Sequence, residues 1–200
     1  AYYSEQLKRA RLDVSEEALR PYFPLPRVLA GLFAVASRLY RIRIVARSDI
    51  HAYHPDVRYF DILDRDGTPR GGFFLDLYAR PNKRGGAWMD EGVGRLQVGQ
   101  ARALPIAYLV CNFAPPVGER PSLLTHHDVL TVFHEFGHGL HHMLTRVNYP
   151  SVAGINGVPW DAVELPSQFM ENFAWRSEVL PLISSHVDTG EALPLATLER

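Results

Sequence analysis

Apolar and polar positions change period along this chain, and the changes divide it into three parts. From residue 26 to 40, Leu29, Leu32, Phe33, Val35, Ala36, Leu39 and Tyr40 recur at helical spacing and predict a helix with a broad apolar face. Shorter helices are predicted at about 4–12 and 15–20. The period then shortens. Arg41 to Arg47, Val57 to Asp64, Gly72 to Tyr78 and Pro105 to Phe113 read as strands, with turn-rich sequence such as Asp64-Arg65-Asp66-Gly67 between the earlier ones. Helical spacing returns at about 125–146, 161–184 and 194–200. The expected order is helix, sheet, helix, and the expected class is α+β, mainly helical with a small mixed sheet, in one domain.

The helix at 125–146 carries the most informative residues. Val129, Leu130, Val132, Phe133, Phe136, Leu140, Met143 and Leu144 surround it with apolar surface, so its histidines sit against a core. Within it, His134-Glu135-Phe136-Gly137-His138 is an H-E-x-x-H pentad. Histidines four apart share one helix face, with Cβ atoms about 5–6 Å apart, and can converge on one ion. Glu135 leaves the edge of that face, where it can reach a metal-held water without ligating, and that is the place of a general base. For a single histidine the ordinary reading is a core imidazole capped by a carbonyl. A pentad followed by a downstream carboxylate favours zinc.

A catalytic zinc takes three protein ligands and leaves a fourth position open. The stretch from Asn148 to Pro159 holds two glycines and two prolines and can turn the chain back across the helix. A second helix then begins near Asp161. Glu164, Gln168 and Glu171 form a polar stripe on it at i, i+4 and i+7. Glu164 is favoured as third ligand over Asp161 or Glu171, while Gln168 or Glu171 could orient a ligand histidine from behind. His141, three residues after His138, is a candidate contact for substrate or for a ligand, with a surface position equally open.

The run from Thr131 to His142, followed by Val163-Glu164-Leu165-Pro166-Ser167-Gln168-Phe169-Met170-Glu171-Asn172, resembles the thimet oligopeptidase and neurolysin family of zinc peptidases. Arg20-Pro21-Tyr22-Phe23-Pro24, Gly72 to Tyr78, Arg80-Pro81, Lys83 to Trp88 and Cys111-Asn112-Phe113 carry the likeness over nearly the whole chain. The resemblance implies a zincin-like core with the sheet beside the active-site helix, and one Zn2+ on His134, His138 and Glu164. It further implies Glu135 as base and short unstructured peptides as substrates. In that family a glycine- and tyrosine-rich loop follows the site and stabilises the oxyanion. No such loop follows Glu164 here, so the chain is expected to be an excised catalytic core, weakly active or inactive alone. Dipeptidyl carboxypeptidase activity within the same family is one alternative; a binding module in which zinc merely staples two helices is another.

Other features narrow the reading. A formal net charge of −1, with 46% hydrophobic and 22% charged residues, offers no general attraction to nucleic acid or an anionic membrane. No apolar run reaches the roughly 18 residues that span a bilayer, Ala1-Tyr2-Tyr3-Ser4 opens no signal peptide, and the lone Cys111 suits a reducing cytoplasm. Lys83-Arg84-Gly85-Gly86 reads as a solvated turn, with a phosphate or carboxylate clamp as the alternative. His51, His54, His126 and His127 lack a matching helical carboxylate and are not expected to bind metal. An exposed strand edge beside the metal, either Gly71 to Tyr78 or Pro105 to Phe113, is expected to receive extended substrate.

Overall fold

In the computed structural model, which describes residues 16–194, the fold is a five-stranded mixed sheet with helices laid on one face. The expected helix at 4–12 lies outside the described residues, as does that at 194–200 apart from Pro194, which is not helical. A single turn, α1 (Glu16–Leu19), runs through a 3-10 turn into α2 (Leu25–Tyr40). Pro24 precedes α2 in extended conformation, and Arg41 ends it with a left-handed φ of 57°. The chain then forms β1 (Ile42–Arg47), β2 (Arg58–Asp64) and β3 (Pro69–Tyr78) as an antiparallel meander. Next come β4 (Trp88–Val93), a separate ribbon of β5 (Leu96–Val98) and β6 (Ala101–Ala103), and β7 (Ile106–Phe113).

The sheet order is β1-β2-β3-β7-β4. β7 lies parallel to β3, with Phe73 opposite Ala107 and Leu75 opposite Leu109, and antiparallel to β4, with Trp88 opposite Val110. Three consequences correct the sequence reading. The sheet is larger than expected, and helix and strand occupy comparable lengths, so the chain is α+β without being mainly helical. Both candidate substrate edges, β3 and β7, are interior strands. The edge strands are β1 and β4, and β4 is missing from the sequence reading because Asp90, Glu91 and Gly92 are poor strand formers.

Phe73, Leu75 and Leu77 of β3 and Ala107, Leu109 and Cys111 of β7 line the covered face. Against it lie Val28, Leu32 and Val35 of α2, and Val132, Phe133, Phe136 and Leu140 of α3 (His126–Met143). Phe136 closes the centre, its ring 5.6 Å from Phe33 of α2 and 5.5 Å from Phe73 of the sheet. Each fully buried aromatic or aliphatic side chain contributes about 1.5–3 kcal/mol, so this layer fixes α3 on the sheet.

The predicted helix at 161–184 is three shorter pieces: α4 (Leu165–Glu171), a 3-10 turn (Asn172–Trp175) and α5 (Leu180–Ile183). Pro166 and Pro181 each occupy the first turn of a helix, where a missing N–H costs nothing, and Arg176 between them is extended. Asp161 lies in the turn before α4 and caps no helix.

Candidate active site

α3 begins with a capping box, in which Thr125 Oγ1 accepts from the Asp128 N–H (3.1 Å) and the Asp128 carboxylate accepts from the Thr125 N–H (2.9 Å). This fixes the helix start, and with it the direction in which His134 and His138 point. Gly137 sits between them against the first turn of α4. A Cβ at 137 would stand 2.6 Å from Ser167 Cα and 2.7 Å from Pro166 O, so only glycine lets the two backbones come this close.

That approach brings Glu164 to the histidines. Its Oε2 lies 3.1 Å from His134 Nε2 and 3.1 Å from His138 Nε2, and the two nitrogens are 3.2 Å apart. Among the described residues this is the one group of three such donors that converge. Three near-equal separations make one face of a coordination tetrahedron, for which bonds of about 2.0–2.1 Å require donors roughly 3.3 Å apart. The donor set therefore fits a small divalent cation.

The surroundings hold these donors in ligating form. Glu171 Oε1 accepts from His134 Nδ1 at 2.5 Å, which leaves the Nε2 lone pair facing the shared point. The single O–H of Ser167, fully buried, is shared between Glu164 Oε2 (2.9 Å) and the Glu164 carbonyl oxygen (2.8 Å). Burial pushes the Glu164 carboxyl up, but the Ser167 hydroxyl and the two imidazoles outweigh it and hold the group below its ordinary range. Burial pulls the His138 pKa down and favours the neutral ring that a metal requires. His138 Nδ1 is buried without a hydrogen-bond partner among the described residues.

Glu135 points inward and is 7% exposed. Burial, reinforced by Glu164 and opposed by His134, pushes its pKa up to about 7. It opens on a cavity of about 220 Å³ lined by His127, Leu130, Thr131, His134 and Glu171. A larger cavity of about 820 Å³ lies under the β1–β2 connection, among residues such as Ile50, Tyr53 and Arg58, away from these donors.

Of the orienting candidates, Glu171 reaches His134, whereas the Gln168 side chain is exposed with no hydrogen bond to the site. His141 is half-buried and has no hydrogen bond to the three donors, although its charge acts on His138; burial pulls its own pKa down. Ser167 was missed by the sequence reading, although its place three residues after Glu164 on a helical turn was the available signal. Lys83 is neither a solvated turn residue nor a clamp: its ammonium is buried, bonded to Asp76 Oδ1 (2.9 Å), Tyr78 O (2.8 Å) and Cys111 O (2.5 Å). No helix among the described residues is long and apolar enough to cross a membrane.

A mixed α+β core that presses an H-E-x-x-H helix against a second helix bearing a glutamate defines a metallopeptidase type of site. The family model for peptidase family M3 matches residues 1–200, and the chain belongs to that family of metallopeptidases. It is 55% identical over its whole length to oligopeptidase A of Escherichia coli, covering 30% of that protein. It is 49% identical to the organellar oligopeptidase A of Arabidopsis thaliana, with 96% of this chain and 25% of that protein aligned. Identity to the dipeptidyl carboxypeptidase of Salmonella typhimurium is 42% over the whole chain and 29% of that protein. The chain thus spans about 30% of the length of the curated relatives it matches.

Proposed function

We propose that this chain is the zincin-like catalytic part of a zinc-dependent oligopeptidase that hydrolyses short peptides in the cytoplasm. The observation that carries this reading is the near-equilateral set formed by His134 Nε2, His138 Nε2 and Glu164 Oε2, with Glu135 alongside. Two imidazoles and one carboxylate are the donor set of catalytic zinc, and three protein ligands leave the fourth position open. Bound there, zinc supplies a Lewis acid for the scissile carbonyl and a water acidified toward pH 7. A zinc staple would call for a fourth protein donor, and no described residue offers one.

Glu135 takes a proton from the attacking water and passes it to the departing amine nitrogen. Its burial makes it a competent base near neutrality, because a carboxyl with a raised pKa both accepts and returns a proton readily. Glu171 fixes the His134 ring and Ser167 fixes the Glu164 carboxylate, so neither donor reorients during the reaction. The extended substrate adds its backbone to the outer edge of β4, the edge strand that packs beside α3, through hydrogen bonds that disregard side-chain identity. The similarity to oligopeptidase A at 55% identity supports endopeptidase activity over dipeptide release.

The test uses the natural full-length polypeptide. Glu135→Gln is expected to keep its bound zinc, measured by atomic emission, while turnover of a quenched fluorescent peptide falls by about 10²–10⁴-fold. Unchanged turnover would remove Glu135 from the mechanism. A mass-spectrometric map of products from an acetylated and amidated peptide separates internal cleavage from dipeptide release.

A further inference from the structure

Beyond the three donors, α3 carries one more histidine whose surroundings the catalytic reading leaves unexplained. His142 stands one helical turn after His138 and is fully buried. Its Nε2 lies 3.0 Å from the carbonyl of Val93, the last residue of β4, and donates to it; its Nδ1 lies 3.6 Å from Glu91 Oε2. The α3–α4 connection is folded directly over this ring. Gly154, with a left-handed φ of 62°, is so close that a Cβ there would stand 2.7 Å from His142 Nδ1. Asn156 Nδ2 donates to Glu91 Oε2 (2.6 Å) and to Pro150 O (3.0 Å). Further along, Asn148 accepts from Arg95 Nε (2.9 Å) through its side chain and from the Gln97 N–H (3.3 Å) through its carbonyl.

These contacts divide the outer edge of β4 and its extension. From Glu91 onward the connection holds the Glu91 and Arg95 side chains and the Gln97 N–H, His142 of α3 holds the Val93 carbonyl, and Pro150 leaves no slack for a Cβ at Gly94 (3.2 Å). From Trp88 to Asp90 no described residue outside β7 bonds to the strand backbone. We infer that the segment Asn148–Gly157, pinned by His142, Glu91 and Asn156, is a stop that ends the open edge of β4 and limits the number of substrate residues on one side of the scissile bond. The inference rests on the proposal that substrate docks along β4. One helical turn separates His138 from His142, about 5–6 Å, and extended peptide covers about 3.3 Å per residue. The stop therefore stands roughly two substrate residues from the metal donors. Asn156 is a positioning residue in this scheme, acting through Glu91 and the connection and touching no reacting atom.

Two series of quenched peptides, lengthened one residue at a time on the amino or the carboxyl side of one scissile bond, test this in the natural full-length polypeptide. In one series only, kcat/KM is expected to drop about tenfold once the chain passes roughly two residues from the bond. Asn156→Ala should recover about tenfold for the long members of that series, with the shortest substrate and the bound-metal stoichiometry unchanged. Asn148→Ala, which frees Arg95 and the Gln97 side chain (Asn148 Nδ2 donates to Gln97 Oε1, 3.3 Å) and keeps the backbone bond to the Gln97 N–H, is read in the same way if the first variant does not fold. A length profile with no drop in either series, or a drop that both variants leave in place, overturns the stop. Hydrolysis insensitive to chelation and to Glu135→Gln would instead overturn the catalytic reading, whereas chelator-sensitive hydrolysis with an unmoved profile condemns the stop alone.

Discussion

Two clusters of charged side chains are built into this fold, one between α3 and α4 and one on the sheet face opposite the helices, and they are finished differently. On the sheet, Asp76 is 3% exposed and accepts from Arg80 (2.6 and 2.8 Å), Lys83 (2.9 Å) and the Tyr53 hydroxyl (2.8 Å). Lys83 spends its remaining donors on carbonyls at the ends of β3 and β7. One carboxylate meets two cations and a hydroxyl, and the cluster locks the Arg80–Lys83 turn and the β1–β2 connection onto the strands. Between the helices, by contrast, two imidazole nitrogens and a carboxylate oxygen crowd one point, and all three are atoms that could ligate a cation. Closed networks of opposite charges serve as staples. Convergent electron-pair donors, held from behind by Glu171 and Ser167, are on the proposed reading completed by an outside partner.

Substitutions on the two sides should separate these roles, and the largest effect is expected on the staple. Lys83→Met leaves Asp76 buried with fewer partners and should cost about 3–5 kcal/mol of stability, read in a urea titration, without changing bound zinc. Glu164→Ala should do the reverse: zinc affinity falls by at least about 100-fold, more than loss of an orienting residue causes, while the apoprotein melts near the wild-type temperature. A staple variant that loses zinc at full stability would break the distinction.

Acid sharpens it further. Burial alone would raise the Asp76 carboxyl, but Arg80, Lys83 and Tyr53 together hold it at about 2, below its ordinary 3.8. A carboxyl depressed on folding contributes stability that is complete above about pH 4 and lost as pH falls toward 2. The contribution is on the order of 2 kcal/mol, and a pH series of urea titrations should show it shrink in Lys83→Met. The smallest effect is expected from Glu171→Gln, which keeps an acceptor for His134 but removes its charge; zinc affinity should drop about tenfold, measured by competition with a chelating dye.

How much of this was legible in the sequence depends on whether local or distant residues decide. α3 is legible at its start, where Thr125 and Asp128 cap it, but the expected end near 146 overruns the observed one at Met143, because apolar spacing continues through Leu144. The donors His134, His138 and Glu164 were named from spacing and resemblance, and the structure brings their ligating atoms together. α4 was drawn too long because apolar spacing continues past Trp175, although Pro166 and Pro181 already marked the breaks. β4 was invisible, since Trp88-Met89-Asp90-Glu91-Gly92-Val93 has neither alternation nor strand propensity and is extended only because β7 offers it an edge. Burial of Lys83 was equally hidden, for it depends on Asp76, Tyr78 and Cys111, up to 28 positions away.

Gly137 has a consequence that reaches past packing. On the proposed reading, the gap it permits between α3 and α4 sets the bite of a three-toothed chelate, and cation size preference would be governed by a residue that carries no donor atom. Alanine there would wedge the backbones apart, since its methyl would otherwise overlap Ser167 Cα and Pro166 O. Relative affinity should then tilt from zinc toward a larger ion such as cadmium.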